Sequence, residues 1–519
     1  MNFSTLDLII FAGWLIFMMG FGIWISRKEK QETAQDYFLA SKALPWWAVG
    51  GSLIASNISA EQFIGMSGSG YVVGMAIASY ELMAALTLLV VAKYFLPIFL
   101  DKGIYTMPQF LEMRYDNRVR TGLAVFWVLL FVFVNITSVL YLGGLALEKI
   151  MGIPLIYSII GLAIFSSTFS IFGGLKAVVW TDLIQVIVLI LGGLMASFLV
   201  LNAVGDGVLD GFEQLVKKAP EKFDMILDKA NPEYINLPGI SVLVGGMWIA
   251  NLYYWGNNQY IIQRSLAAKN LSEAQKGTAF AAFMKILLPI IVVIPGIAAY
   301  VLHADIDKPD QAYPWVLNNY VSTGFKGIAF AALIAAVGSS LSSMVNSAST
   351  IFTLDIYKQL VKKKANDENH LVKVGQISAA LALVIGAIVA PLLGSLDQAF
   401  QYIQEYTGFI SPGVVAVFIL GFFWKKTSAN AALASVILSI PLSTGFKFWM
   451  PELPFLDRMG ICFLLIVAIM VVISLIENKD GADEKAIEVD KSLFKTDMTF
   501  NVASLAVIGI LAVIYAVWW

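Results

Sequence analysis

Residues 51–70 read GSLIASNISAEQFIGMSGSG, an apolar stretch whose middle, Ser56-Asn57-Ile58-Ser59, forms helix poorly and is followed at once by Glu61 and Gln62. Asn and Ser side chains offer the backbone competing hydrogen bonds, so a helix can be interrupted there. If the segment crosses a bilayer, an interruption exposes carbonyls and helix ends near the midplane, where such groups hold sodium and polar cargo. The other reading is an unbroken helix whose polar face packs on its neighbours. The choice depends first on whether the chain spans a membrane.

Composition answers that question. Of 519 residues, 59% are hydrophobic and only 13% charged, about half the charge of a soluble chain. A crossing helix needs about 20 apolar residues. Runs of that kind fall near residues 8–26, 46–70, 74–99, 121–148, 153–175, 178–204 and 239–263. A second series lies near 278–302, 327–354, 374–396, 399–424, 427–447, 457–476 and 498–518. The expected fold is therefore an all-α polytopic membrane protein with about 14 transmembrane helices. Leu8 to Ser26 precedes Arg27, Lys28 and Lys30, the reverse of a cleavable signal, so a retained helix is expected.

Alternate connections carry the basic residues: Arg27/Lys28/Lys30, Arg114/Arg118/Arg120, Lys176, Arg264/Lys269/Lys276, Lys362/Lys363/Lys364 and Lys425/Lys426. The opposite set is neutral or acidic, as at Asp305/Asp307/Asp310. The positive-inside rule puts the basic set in the cytoplasm and both termini outside. The outer connection 205–238 reads as a partly helical cap, and the charged inner loop 477–496 as flexible. A net charge of −2 gives no field that would recruit nucleic acid. Cys462 is the single cysteine and His303 and His370 lack metal-ligand neighbours, which excludes a disulfide framework and a cysteine-based metal site. No phosphate-binding GxxxxGK[ST] loop occurs, leaving secondary transport rather than ATP-driven transport. Oligomeric state is not encoded in any feature of this kind.

Polar residues inside spans are costly, roughly 2.5–3.5 kcal/mol for a central charge on insertion scales, so they face a cavity or one another. Glu81 in SYELMAAL and Lys285 in AAFMKILLPI form either a structural ion pair or the wall of a polar cavity. Residues 246–264, GMWIANLYYWGNNQYIIQR, concentrate aromatics and amides, with Asn251, Tyr254 and Asn257 recurring at helical spacing. That suits a sugar, with C–H faces to stack on and hydroxyls to satisfy; an interfacial aromatic belt is the alternative. Residues 335–350, AAVGSSLSSMVNSAST, supply hydroxyls, either as glue between helices or as oxygen ligands for a hard cation. Asp182 adds a carboxylate there or caps a helix near the inner surface.

Together GGLKAVVWTDLIQ (173–185), ASNISAEQFIGMSGSG (55–70), ANLYYWGNNQYIIQR (250–264) and FQYIQEYTGFISPG (400–413) resemble the solute:sodium symporter family, its bacterial sodium/galactose branch in particular, from about residue 5 to 519. The resemblance implies a LeuT-like fold of two inverted five-helix repeats. Its parts would be an extra helix at 5–30, repeats at 45–204 and 239–424 separated by an outer loop at 205–238, and three further helices at 427–519. It implies sugar contacts from Gln62, Glu81, Asn251, Lys285 and Gln404 with Asn57 nearby. It also implies an inner gate of Tyr254 and Trp255, and an outer gate of Met66, Tyr80 and Phe400. Ala84 stands where the nearest relatives place a hydroxyl, a bond typically worth about 0.5–1.5 kcal/mol. Sodium would be held by the carbonyls of Ala55, Ile58 and Ala336 and the hydroxyls of Ser339 and Ser340. A second sodium would use Asp182, Ser339, Ser342 and Ser343. The function implied is sodium-driven uptake of galactose or glucose across a bacterial inner membrane, without an organic cofactor. The alternative cargo is another small solute, such as an inositol, sialic acid or an amino acid. A sugar sensor would append a cytoplasmic output domain, whereas both termini here are expected outside; an intramembrane enzyme would need a nucleophile–base pair, and the histidines lie outside the spans.

Overall fold

The computed structural model describes residues 4–28, 33–361, 367–395, 399–479 and 481–519. Lys30 and Lys362–Lys364, counted above among the basic connections, lie outside them. Among the described residues the chain is helical, with one isolated backbone bridge, Leu44 to Ala268, and no named strand. Ten helices among the described residues are long and apolar enough to cross a membrane. The expected count of about 14 is not confirmed; two shorter apolar helices, Leu155–Thr168 and Ser411–Phe423, stand beside the ten.

Two broken segments organise the molecule. The first runs as helix Trp46–Asn57, passes through Ile58 in an extended conformation (φ −74°, ψ 112°), and resumes as a π turn Glu61–Met66 and helix Ser67–Val72. Local chemistry makes the break. The Gln62 side-chain oxygen accepts from the Ser59 N–H (2.9 Å) and hydroxyl (3.0 Å), and the Ser59 oxygen accepts from the Glu61 N–H at 3.0 Å. This reciprocal Ser-x-x-Gln arrangement is a capping box, the signal for a new helix N-terminus, set here inside an otherwise continuous apolar span. The second segment repeats the plan: helix Gly246–Leu252, π turn Tyr253–Asn257, one extended residue at Asn258 (φ −86°, ψ 122°), then helix Gln259–Leu266. π turns break the regular hydrogen-bond ladder and concentrate at functional sites. The start of the first segment and the end of the second are tied by Lys269 N–H to Leu44 O (3.0 Å) and Leu44 N–H to Ala267 O (3.1 Å).

Several expected connections differ, Lys176 not among them. It stands two residues after Gly174 (φ 55°, ψ −167°), where the helical stretch Leu155–Val204 breaks sharply into two helices. A Cβ at Gly174 would lie 2.6 Å from the Tyr37 carbonyl oxygen, so Gly174→Ala combines a disfavoured dihedral with a backbone clash. A loss of about 1–3 kcal/mol is expected, read as a lower unfolding temperature in detergent. Arg114 is fully buried; it donates to the carbonyls of Gly421 (3.0 Å), Trp424 (3.3 Å) and Thr427 (2.9 Å) where helix Ser411–Phe423 ends, the end that attracts cations. Arg120 is likewise buried, against Asp355 (2.8 Å) and Glu112. The charged segment 477–496 has specific partners: the Asp483 N–H donates to Lys425 O at 2.9 Å, its carboxylate meets Arg114 at 3.4 Å, and Lys485 donates to Glu112 O at 3.1 Å. In the connection 205–238, helix Val208–Lys218 and two short turns pack Phe212 and Phe223 on Trp518.

Candidate functional site

A polar cavity lies between the two breaks, lined by Asn57, Gln62, Glu81, Asn251, Lys285 and Gln404. All six residues expected to meet a sugar therefore share one wall system. Glu61, Tyr80, Ala84, Ala250, Tyr254, Trp255 and Phe400 complete it. Met66, expected at the outer gate, is buried but is not among the lining residues.

Each side chain arrives for a local reason. Glu81 sits in the first turn of helix Ser79–Val90, where the helix dipole favours a carboxylate. Lys285 projects from helix Leu271–Val301, pairs with Glu81, donates to the Asn57 side-chain oxygen, and lies 4.9 Å from the Trp255 ring. The two readings of Glu81 and Lys285 thus merge, since the ion pair itself forms part of the cavity wall. Asn57 passes the connection on: its amide donates to the Tyr254 hydroxyl at 2.9 Å, which also accepts from Tyr260 at 2.5 Å. Gln62 spends its oxygen on the capping box, so only its NH₂ remains for a ligand. On the opposite side Tyr80 and Phe400 meet edge to face at 5.3 Å. A Cβ at Gly65 would come within 2.8 Å of Phe400 Cβ, so the glycine lets that ring close over the first broken helix. Tyr253 and Trp255 are buried, which removes the belt reading for this stretch.

The hydroxyl-rich helix Phe325–Ile351 runs behind the first break. Ser340 Oγ donates toward the carbonyls of Ser56 (3.0 Å) and Ile58 (3.2 Å), the oxygens freed by the interruption. Ala55, Ile58 and Ala336 are fully buried in the same region. Ser339 turns instead to Asp182 at 2.5 Å. Asp182 stands well inside its helix, not at an N-cap, and also accepts from Ser52 (2.6 Å) and Ser56 (3.4 Å). Of the other two serines expected beside it, Ser342 bonds its own helix at the Ser339 carbonyl (2.8 Å), and Ser343 meets Ser56 (2.9 Å) and Arg264.

Arg264 corrects the sequence reading most. Counted above as a loop cation, it is fully buried on helix Gln259–Leu266, with its guanidinium 3.8 Å from Asp182 and donating to Tyr260 O (2.6 Å), Ser52 (3.3 Å) and Ser343. A buried guanidinium needs a counter-ion, and Asp182 supplies it. The signal that could have found it was the apolar company of Ile261, Ile262 and Leu266 on one short helix. Ser138, which donates to Glu61 at 2.8 Å, and Tyr260 were also missed. Two apolar grooves of about 440 and 670 Å³ flank helix Glu368–Val389; having almost no polar groups, they cannot satisfy a hydroxylated ligand.

Comparison with known proteins gives the family. A profile described as the Sodium:solute symporter family matches residues 37–439. The chain is 53% identical to a sodium/glucose cotransporter of Vibrio parahaemolyticus, over 99% of this chain and 98% of that one. It is 34% identical to sodium/myo-inositol cotransporter 2 of Mus musculus, over 84% and 69% respectively. The solved structure of a Na⁺-coupled sialic acid symporter, substrate-bound and outward-open, superposes with a TM-score of 0.80 at 24% identity, covering 91% of this chain and 98% of that one; at that identity the likeness concerns the fold. With a matching profile across most of its length and a near-full-length relative, the chain is a multi-pass member of the sodium:solute symporter family.

Proposed function

We propose that this protein carries a neutral hexose, galactose or glucose, into a bacterial cell across the cytoplasmic membrane, driven by inward sodium movement through alternating access. The observation that carries the reading is the cavity between the two broken helices, where Lys285, paired with Glu81, also holds Asn57, which in turn holds Tyr254. Glu81 accepts from sugar hydroxyls, Lys285 donates, and the amides of Gln62, Asn251 and Gln404 complete the set. Tyr254 stacks on the ring and, with Trp255, closes the inner side; Tyr80 and Phe400 close the outer side. A sugar that takes hydrogen bonds from Lys285 and Asn57 competes with the contacts holding Tyr254, so cargo and gate share one chain of bonds.

Sodium held by the carbonyls of Ala55, Ile58 and Ala336 with Ser339 and Ser340 would fix the shape of the first break. Coupling is then the difference in sodium affinity between the two access states. In this arrangement 45–204 and 239–424 are the inverted repeats, 5–30 and 427–519 the added helices, and 205–238 an outer cap, with both ends of the chain extracytoplasmic. A second sodium at Asp182, Ser339, Ser342 and Ser343 would change the energetics. Each ion brings about 2.3 kcal/mol per 100 mV, and about 1.4 kcal/mol per tenfold gradient. One ion therefore supports a sugar gradient of a few hundredfold and two about 10⁵-fold. A Hill coefficient for sodium that stays at one under varied voltage would exclude the second ion.

The test is radiolabelled galactose uptake into proteoliposomes under an inward sodium gradient, against an equal potassium gradient. Uptake is expected with sodium only, and Gln404→Ala is expected to reduce it at least about tenfold, the loss of one to two hydrogen bonds to the ring. Sodium-driven uptake of myo-inositol with none of galactose or glucose would move the cargo to a polyol and leave the scaffold reading intact.

A further inference from the structure

We propose that the smaller groove beside helix Glu368–Val389 holds one acyl chain of an anionic phospholipid, whose head group is taken by Lys358 and Lys373. The groove, of about 440 Å³, has an almost wholly apolar lining. Val132, Ala348 and Ala382 are its buried residues, while Ile377, Leu381 and Ile385 stand exposed along it. Its stripe on the helix runs from Val374 to Ile385, about 16 Å at 1.5 Å per residue. One leaflet of a hydrocarbon core about 30 Å thick is about 15 Å deep, so the length suits one chain from one leaflet. Beyond Val132 and Ile385 the two walls meet. A Cβ at Gly386 would lie 2.6 Å from the Ile136 side chain, which closes that end of the groove.

The other end is polar and positive. His370 and Lys373 each stand four residues before a lining residue, Val374 and Ile377, and so continue the same helix face. His370 Nε2 lies 2.7 Å from the hydroxyl of Tyr357, which lines the groove from the opposite wall. Lys373 is exposed and Lys358, the neighbour of Tyr357, half-buried; neither has an ion-pair partner among the described residues. The acidic residues of this end are engaged. Asp367 accepts from the His370 N–H at 3.0 Å, Asp355 pairs with Arg120 at 2.8 Å, and Glu368 has a partner of its own. Lysines at this level lay their stems along apolar surface and keep the ammonium among the head groups. Each adds about fivefold to the binding of an anionic lipid. The larger groove on the helix, with a stripe from Ala380 to Ile388, has no lysine, arginine or histidine within a turn of either end. Chain-length slot and unpaired ammoniums thus coincide at one groove only of the two. The inference does not depend on which solute the polar cavity carries.

The experiment is native mass spectrometry of the full chain in detergent, exposed to equal amounts of phosphatidylglycerol and phosphatidylcholine with the same acyl chains. The wild type is expected to retain one phosphatidylglycerol, preferred over phosphatidylcholine by about 25-fold, the product of two lysines. Lys358→Gln combined with Lys373→Gln should bring the ratio close to unity. Ser378→Phe, which fills the groove, should lose the retained lipid, whereas Ala387→Phe, which fills the larger groove, should keep it. Glycerol phosphate, a phosphate ester without chains, should displace nothing. Equal retention of the two lipids by the wild type overturns the inference. A preference that survives the lysine pair or Ser378→Phe overturns it too, because the lipid then sits elsewhere. Displacement by glycerol phosphate would mean an anion site that needs no chain, and overturns it as well. The wild-type and lysine arms leave the packing untouched, so a Ser378→Phe chain that fails to fold does not rescue the idea.

Discussion

Lys285→Met is expected to cut sodium-driven sugar uptake by at least two orders of magnitude and to lower the unfolding temperature in detergent. Adding Glu81→Gln should restore stability without restoring uptake. Lys285 is 1% exposed, and its ammonium is shared between the Glu81 carboxylate and the Asn57 amide oxygen. Removing one member of a buried pair leaves the other charge uncompensated, at a cost of about 3–5 kcal/mol, whereas replacing both by neutral groups is often harmless. The double variant therefore separates the two roles. Stability follows the balance of charge, while uptake follows the donors and acceptors that a hydroxylated ring needs. Single and double variants with equal unfolding temperatures would show that the pair is not coupled as its geometry requires. Near-normal uptake in the single variant would remove Lys285 from the sugar site.

The second large effect concerns Arg264 and Asp182, both fully buried. Arg264→Gln is expected to lower stability in potassium by about 3–5 kcal/mol, since it strips Asp182 of its only described cation and leaves a carboxylate held by serine hydroxyls alone. Sodium should then recover the variant more than it stabilises the wild type, because an ion that binds the folded state stabilises it in proportion to the logarithm of its occupancy. Asp182→Asn with Arg264→Gln should fold normally and lose that excess response. The measurement is unfolding temperature against sodium concentration at constant ionic strength. A sodium-induced shift equal in the wild type and in Arg264→Gln would mean that the freed carboxylate takes no cation. The position adds a mechanical consequence, since Arg264 lies on the second broken helix while Ser52 lies on the first and Ser343 on the hydroxyl-rich helix. One guanidinium thus fastens three elements around Asp182.

Much of this was legible in the residue order, for definite reasons. Apolar runs identify spanning helices because lipid offers no partner to a bare backbone. Glu81 and Lys285 stood out because a charge in such a run is expensive unless it serves a cavity or a partner. The residue order left the first broken helix with two readings, and a local contact decides between them: Ser59 and Gln62 are three residues apart, and a capping box needs nothing beyond its own four residues. Reading charge as loop failed wherever a basic residue had a buried use. Arg114 ends a helix 307 residues away, at Gly421, and Arg264 answers Asp182. Lys176, placed by the residue order between the runs 153–175 and 178–204, does sit beside a break, which one glycine dihedral at Gly174 makes.

What the order of residues determined by itself is the all-helical membrane class, the polar stretches inside apolar runs and the residue types available for a sugar and a cation, all of which follow from the cost of polar groups in lipid. The tertiary structure decided the partnerships: Lys285 with Asn57 across 228 positions, Ser52 with Asp182 across 130, and Ser340 with Ile58 across 282. Such pairs depend on how helices pack, and a side chain carries its charge or hydroxyl in the sequence without carrying the address of the group that will satisfy it.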